Sequence, residues 1–343
     1  KQIAELLENV EITVDVTSDN LKVMPPFWRT DLDLPEDVVE EVGRLYGFDK
    51  LPRTLPLRSI TPAPLNNARL TKQLIRESLS KAGANEVLTY SFVHENTIKR
   101  AEQDVTQAFK LGNALSPDLQ YYRLTPLPSL LDKVHINIKA GHDEFTLFEI
   151  GKGHNKKDHA DDDEGLPSEI EYVDAVYASK TAREGAAYYR IRRQIHQLGK
   201  DLGLTLQYHP ITQPMDFPVT APFELPRSAT ITTRQGEFIG MVGELKQSVI
   251  AAFKLPAYTA AFTLDFSGIV KARQTRRVSY KPLSKYPTIS QDISLRTATE
   301  TLYEDIFQTV CTATNERIKG MDVKVSPVSI YQAKTEAGKK TTT

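Results

Sequence analysis

Apolar residues recur with two different rhythms along this chain. In KQIAELLENV, Ile3, Leu6, Leu7 and Val10 fall on one side of a short helix, and EITVDV and NLKVMPP read as flanking strands. Pro35 suits the first turn of a further helix, where its missing N–H is no loss, and Glu36 and Asp37 then meet the positive end of the helix dipole. Residues 51–65 carry Pro52, Pro56, Pro62 and Pro64, which excludes a helix or a central strand. From Arg69 to Ala82, Leu70, Leu74, Ile75, Ser78 and Leu79 return at helical spacing, with Gly83 as the stop. This apolar face serves either a partner surface or a core of its own domain.

Strands alternating with turns are expected from there to residue 151, and EYVDAVYAS continues the β pattern. Residues 186–202 place Tyr188, Ile191, Ile195, Leu198 and Leu202 on one helical face and Arg190, Arg192, Arg193 and Lys200 elsewhere, facing either solvent or RNA. Strands at 227–232, 237–243 and 259–266 complete a mixed α+β domain. ISLRT, a helix over 301–318 carrying Leu302, Ile306, Val310 and Ile318, and VKVSPVSIYQA then form β-α-β, half of a ferredoxin-like unit.

With 343 residues and 40% hydrophobic content, the chain has material for a sizeable core and two or three domains. A net charge of −1 provides no global field toward nucleic acid, so RNA contact needs a local basic patch or a partner chain. KARQTRRVSYKPLSKYP, with Arg273, Arg276, Arg277, Lys281 and Lys285 beside Tyr280 and Tyr286, is the strongest local candidate; a linker basic for solubility is the alternative. The single Cys311 excludes an internal disulfide framework and a zinc-thiolate cluster, in keeping with a reducing cytoplasm. No run reaches the roughly 18 apolar residues of a membrane span. The acid run KKDHADDDEG reads as a solvated loop, even with His154 and His159 nearby. Lys1 in place of an initiator Met, and a β-α-β unit cut short at GKKTTT, point to a fragment.

The densest chemistry lies in PPFWRTDLDLPEDVVEEVGRLYGFD, residues 25–49. Asp37, Glu40 and Glu41 are spaced i, i+3 and i+4, so three carboxylates share one helical face, with Asp31 just upstream. Their repulsion needs an offset. Arg44 and Arg29 supply one within the chain; a hard divalent cation such as magnesium, which takes oxygen ligands and keeps several waters, supplies another.

The whole string resembles the helix-turn-helix-like domain of bacterial phenylalanyl-tRNA synthetase β subunits: Pro-x-Trp-Arg-x-Asp, then acids, Glu-Glu, and Arg-x-Tyr-Gly-Phe-Asp. In that family four acids of the string are magnesium ligands, and Asp31, Asp37, Glu40 and Glu41 match them. EVLTYSF (86–92) is similar to the family's first core strand. LGNALSPDLQYYRLTPLPSLLDKVHINI (111–138) resembles its Asn-Pro-x-Ser … Arg-x-Ser-Leu stretch, with Ala114 for the usual proline and an altered turn at 125–128. LFEIG, RSATIT and GEFIGMVGELKQSV come next in the same order. YPTISQDISL resembles the start of the anticodon-binding domain, with Gln291 for arginine.

The resemblance implies an α+β chain with a partial winged-helix-like module, a class II synthetase-like antiparallel sheet core without catalytic motifs, and a partial ferredoxin-like domain. The boundaries it suggests are 1–55, a Pro-rich linker 56–68, the core 69–270, a basic linker 271–285 and a truncated anticodon-binding domain 286–343. The amino-terminal RNA-binding and editing portions are expected to be absent, so no editing activity is assigned. LFEIG offers Glu149 but no Arg two residues earlier, and no Gly-x-Gly-x-Gly-x-x-Arg segment, Walker loop, dinucleotide fingerprint or nucleophile–base set occurs, so catalysis is expected elsewhere. The resemblance therefore implies a non-catalytic subunit of phenylalanine–tRNA ligase, paired in an α2β2 assembly with an α subunit that binds ATP and phenylalanine, contacting tRNA(Phe), using Mg2+ and working in the cytoplasm. A free-standing synthetase-like scaffold or RNA-binding protein without a ligase role is the alternative.

Overall fold

The computed structural model describes residues 1–157, 167–182, 185–213, 217–274, 285–318, 323–331 and 339–342. The chain divides into two units, Lys1–Glu86 and Val87–Thr343.

In the first unit, α1 (Gln2–Glu8) leads into a hairpin of β1 (Thr13–Val16) and β2 (Leu21–Met24), paired antiparallel with Val14 opposite Val23. Helix α2 (Pro35–Tyr46) comes next, with Pro35 at its first position and Gly47 ending it at φ 102°, a conformation glycine adopts without a Cβ penalty. Ala4, Leu7, Ile12, Val14 and Leu32 form the core, with Val38 and Val42 of α2 packed against it. The buried side of α1 is therefore Ala4 and Leu7, while Ile3 of the expected face is 43% exposed.

After a stretch without regular structure, α3 (Asn67–Lys81) begins where the Asn66 side chain accepts the Arg69 N–H at 3.0 Å, and β3 (Ala84–Glu86) closes the unit. Thr71, Ile75, Ser78 and Leu79 bury one side of α3, so its apolar face serves a core within the described chain.

The second unit corrects two expectations. The expected core strand over 86–92 is broken: β4 is only Phe92–Val93, and between it and β3 the Val87 N–H donates to the Phe148 carbonyl. Between residues 93 and 151 two helices replace the expected run of strands and turns, α4 (Glu95–Arg100) and α5 (Leu127–Lys139), with β5 (Tyr121–Tyr122) pairing β4. Leu127, Leu130, Leu131 and Val134 explain α5: they repeat at i, i+3, i+4 and i+7 and are all buried.

The main sheet is built from β6 (Glu144–Gly153), β7 (Ile170–Ser179), β8 (Leu206–Pro210), β9 (Phe223–Thr233), β10 (Phe238–Leu245) and β11 (Tyr258–Asp265). Within this unit their order is β6-β7-β11-β10-β9-β8, every neighbouring pair antiparallel. On one face α5 and α7 (Gln247–Phe253) close a core over Leu147, Val176, Met241 and Ala261. Helix α6 (Ala187–Leu202) takes the opposite face. Its Gln194 side chain donates to Thr146 Oγ1 at 2.8 Å, and Thr146 alternates with the core-facing Leu147.

Helix α8 (Phe266–Gln274) runs into the segment expected to be linker from residue 271, because Ile269 and Ala272 remain buried on its inner side. Beyond it β12 (Leu295–Ala298), α9 (Tyr303–Arg317), β13 (Ile330–Tyr331) and β14 (Lys339–Thr342) give a three-stranded antiparallel sheet of order β12-β14-β13 with one helix. Cys311 is half-buried on α9. No helix of the described residues is long and apolar enough to cross a membrane.

Candidate functional site

At the start of α2 the expected magnesium acids separate according to their partners. Arg29 donates from Nε and Nη2 to both oxygens of Asp31, at 2.9 and 2.7 Å, and from Nη2 to Glu41 Oε1 at 2.9 Å. Arg44 donates to the other oxygen of Glu41 at 2.5 Å. The Arg29 guanidinium accordingly draws the Asp31 carboxyl down to about 2 and, with Arg44, lowers that of Glu41. Asp37 is turned back toward its own helix start, where Oδ2 accepts the N–H groups of Asp33 and Leu34 at 3.0 and 2.8 Å. Glu40 is exposed and Glu41 buried, so the spacing that puts them on neighbouring helix positions does not aim them at one point.

Among the described residues no group of three or more His, Cys, Asp or Glu is placed to hold a metal ion. As they stand, the four acids do not fit a cation: Arg29 fills the place between Asp31 and Glu41. Of the two offsets left open by the sequence, the intramolecular one is the arrangement present. The acid run at 156–165 lies mostly outside the described residues.

A second polar constellation is buried in the main sheet. Glu149 on β6 stands opposite Asp174 on β7, and Asp174 opposite Thr263 on β11, so three polar side chains cross adjacent strands on the face that α5 covers. Arg123 closes over them. It donates from Nη2 to Glu149 Oε1 at 2.8 Å, from Nη1 to Thr89 Oγ1 at 2.7 Å and from Nε to the Lys152 carbonyl at 2.8 Å. Thr89 in turn donates to Glu149 Oε2 at 2.6 Å. Gly151 makes this possible, since a Cβ there would collide with the guanidinium.

Asp174 has no such support. It is 0% exposed, and neither carboxyl oxygen reaches hydrogen-bond geometry with a described group. Burial pushes its pKa up to about 8; Thr263, Arg123 and the Leu127 amide oppose the rise without cancelling it, and Glu149 adds to it. At neutral pH Asp174 thus keeps its proton, beside a Glu149 side chain whose two oxygens both have donors. With Glu149 and Asp174 at 0% and Arg123 at 3% exposure, none of them meets a solute: this is internal scaffolding rather than a reaction centre.

Glu149 is visible in LFEIG and Arg123 stands at the arginine of the Arg-x-Ser-Leu-like stretch, whereas no motif of the sequence points to Asp174. The altered turn at 125–128 is also structural, with Thr125 buried and accepting from the Gln103 amide at 3.0 Å. Of the basic candidates, Arg273 lies half-buried in the last turn of α8 and Lys285 is exposed; Arg276, Arg277 and Lys281 lie outside the described residues.

Comparison with known proteins adds to this geometry. A family model described as "Phenylalanyl tRNA synthetase beta chain CLM domain" matches residues 51–266, and one described as "tRNA synthetase B5 domain" matches residues 1–48. The chain is similar to the phenylalanine–tRNA ligase β subunit of Thermotoga maritima, 26% identical over 84% of this chain and 36% of that protein. It resembles the one from Staphylococcus epidermidis at 24% identity over 90% of this chain and 38% of that protein. The chain thus spans well under half the length of the curated relatives it matches. A pyrrolysyl-tRNA synthetase structure from Desulfitobacterium hafniense overlaps 80% of this chain and 86% of its own at a TM-score of 0.47 and 10% identity, too loose a likeness to bear on the fold. With the first of these matches covering more than half of its residues, the chain belongs to the phenylalanyl-tRNA synthetase β-chain family.

Proposed function

We propose that this chain is the supporting part of a phenylalanine–tRNA ligase β subunit, which promotes ATP-dependent attachment of phenylalanine to tRNA(Phe) by assembling with a catalytic α subunit in an α2β2 complex in the cytoplasm. One observation carries the non-catalytic role: the charged residues on the covered sheet face, Arg123, Glu149 and Asp174, are sealed beneath α5 and its approach. ATP and phenylalanine belong to the α subunit on this reading. The main sheet is then a class II synthetase-like core, residues 1–55 a partial winged-helix-like module, 56–68 and 271–285 linkers, and 286–343 a partial ferredoxin-like domain. Arg273, Arg276, Arg277, Lys281 and Lys285 contribute phosphate contacts to tRNA.

Co-expression with a catalytic α subunit of the same family is expected to give a stable complex that survives gel filtration, whereas the isolated chain charges no tRNA. Aminoacylation by the chain alone would overturn the assignment. Failure to retain an α subunit would favour the free-standing scaffold.

Magnesium at Asp31, Asp37, Glu40 and Glu41 enters this proposal only as a competitor of Arg29. Those carboxylates need a positive charge, and the guanidinium now supplies it. Melting of the unaltered chain is therefore expected to be insensitive to millimolar magnesium or chelator. Arg29→Ala should create a magnesium-dependent rise in Tm that a further Glu41→Ala removes. A magnesium response in the unaltered chain, abolished by Glu40→Ala, would show that the ion displaces the arginine.

A further inference from the structure

Helix α6 buries Ala187, Ile191, Ile195, Leu198 and Leu202 against the sheet and turns Tyr189, Arg193, His196 and Lys200 outward. These four are spaced i, i+4, i+7 and i+11, which places them along one stripe about 16 Å long at 1.5 Å per residue. From Ala187 to Lys200 the helix contains no acid, although the chain as a whole carries a net charge of only −1. Two other helices do pair a lysine with an acid one turn away, Lys81 with Glu77 at 3.8 Å and Lys99 with Glu95. Arg193 and Lys200 have no ion-pair partner among the described residues. Arg192 lays its guanidinium over the Tyr208 ring at 4.4 Å, so it too leaves its charge uncompensated by a carboxylate. Tyr189 is 61% exposed and is braced edge-on by Tyr188 at 5.3 Å, which holds a ring face ready at the end of the basic stripe.

We propose that this outer face of α6 binds a single-stranded stretch of RNA, with Arg193 and Lys200 on successive phosphates and Tyr189 stacked on a base. Charge complementarity selects a polyanion, and the exposed aromatic selects one with π faces over an acidic peptide. The stripe offers no large aliphatic side chain of the kind that anchors a protein interface. This surface shares no residue with the basic segment at 271–285 and needs only the chain's own charges, so its failure would leave the co-purification result standing.

The test is anisotropy of a fluorescein-labelled 12-nucleotide single-stranded RNA titrated with the full chain between 50 and 200 mM salt. Arg193→Glu with Lys200→Glu is expected to weaken binding at least about tenfold and to lower the slope of log K against log salt by about 1.4, the value for two lost single-strand phosphate contacts. Tyr189→Ala should weaken binding roughly tenfold at an unchanged slope. All three positions are exposed, so circular-dichroism melts are expected to match the unaltered chain. Unlabelled polyglutamate of equal charge should fail to displace the RNA. No RNA binding by the unaltered chain, unchanged affinity and slope in the double reversal, or displacement by polyglutamate at equal charge concentration would each overturn the proposal.

Discussion

Glu149→Leu is expected to destabilise the second unit by about 3–5 kcal/mol, because it strands the Arg123 guanidinium in a site that is almost wholly buried. For a unit of this size that is a fall in Tm on the order of 10 °C, readable by calorimetry. Arg123→Met should cost a similar amount, since the Glu149 carboxylate then keeps only Thr89 and faces Asp174 across the strand pair. The double variant Arg123→Met with Glu149→Leu is expected to lose less than the sum of the singles, as both charges leave together and Met and Leu refill part of the space. Additive losses in the double-mutant cycle would mean that the two residues act independently, contrary to the 2.8 Å contact.

Asp174→Asn should instead stabilise the protein, and increasingly so as pH rises. An ordinary aspartate in the unfolded chain loses its proton near pH 4, whereas the folded Asp174 keeps it to about 8. Below pH 4 both states are protonated and the folded state bears no penalty. Between about 4 and 8 the folded state binds the extra proton, so this residue lowers stability by up to about 1.4 kcal/mol per pH unit, and above 8 the penalty is complete. Comparing urea melts of the two proteins at pH 5 and pH 8 isolates the effect. The gain from Asn is expected to be small at pH 5 and on the order of 2–4 kcal/mol at pH 8, less than the full linkage value because local relaxation and water entry reduce it. An equal difference at both pH values would place the folded pKa near its ordinary range.

Local rules carried the amphipathic elements well. Pro35 started α2, the 186–202 periodicity matched Ala187–Leu202, and the strands expected at 237–243 and 259–266 lie within two residues of β10 and β11, while β9 begins four residues before the expected 227. Gly203, at φ 68°, ends α6 as a left-handed cap should. Short apolar runs were harder, because Leu127 to Val134 satisfies a helix and a strand almost equally until tertiary packing decides. The acids at 31–41 were readable as a cluster, but spacing along a helix fixes which residues are neighbours and not where each carboxylate bends. Arg29, twelve residues before Glu41, settled that. For the buried row the missing information was register. A lone acid inside LFEIG and another inside EYVDAVYAS each mark a polar break in a strand buried on both faces, yet only strand pairing places them opposite one another.

Sealing of the Arg123–Glu149–Asp174 row has a bearing on redesign. A nucleophile grafted onto β6 or β7 at this level would be walled off from any reactant, however well its neighbours tuned it. To endow the sheet with chemistry, an engineer would first have to peel back the opening turn of α5 around Leu127 to Ser129. That cut would drain Leu127, Leu130 and Leu131 from the apolar cluster that α5 and α7 close over the sheet.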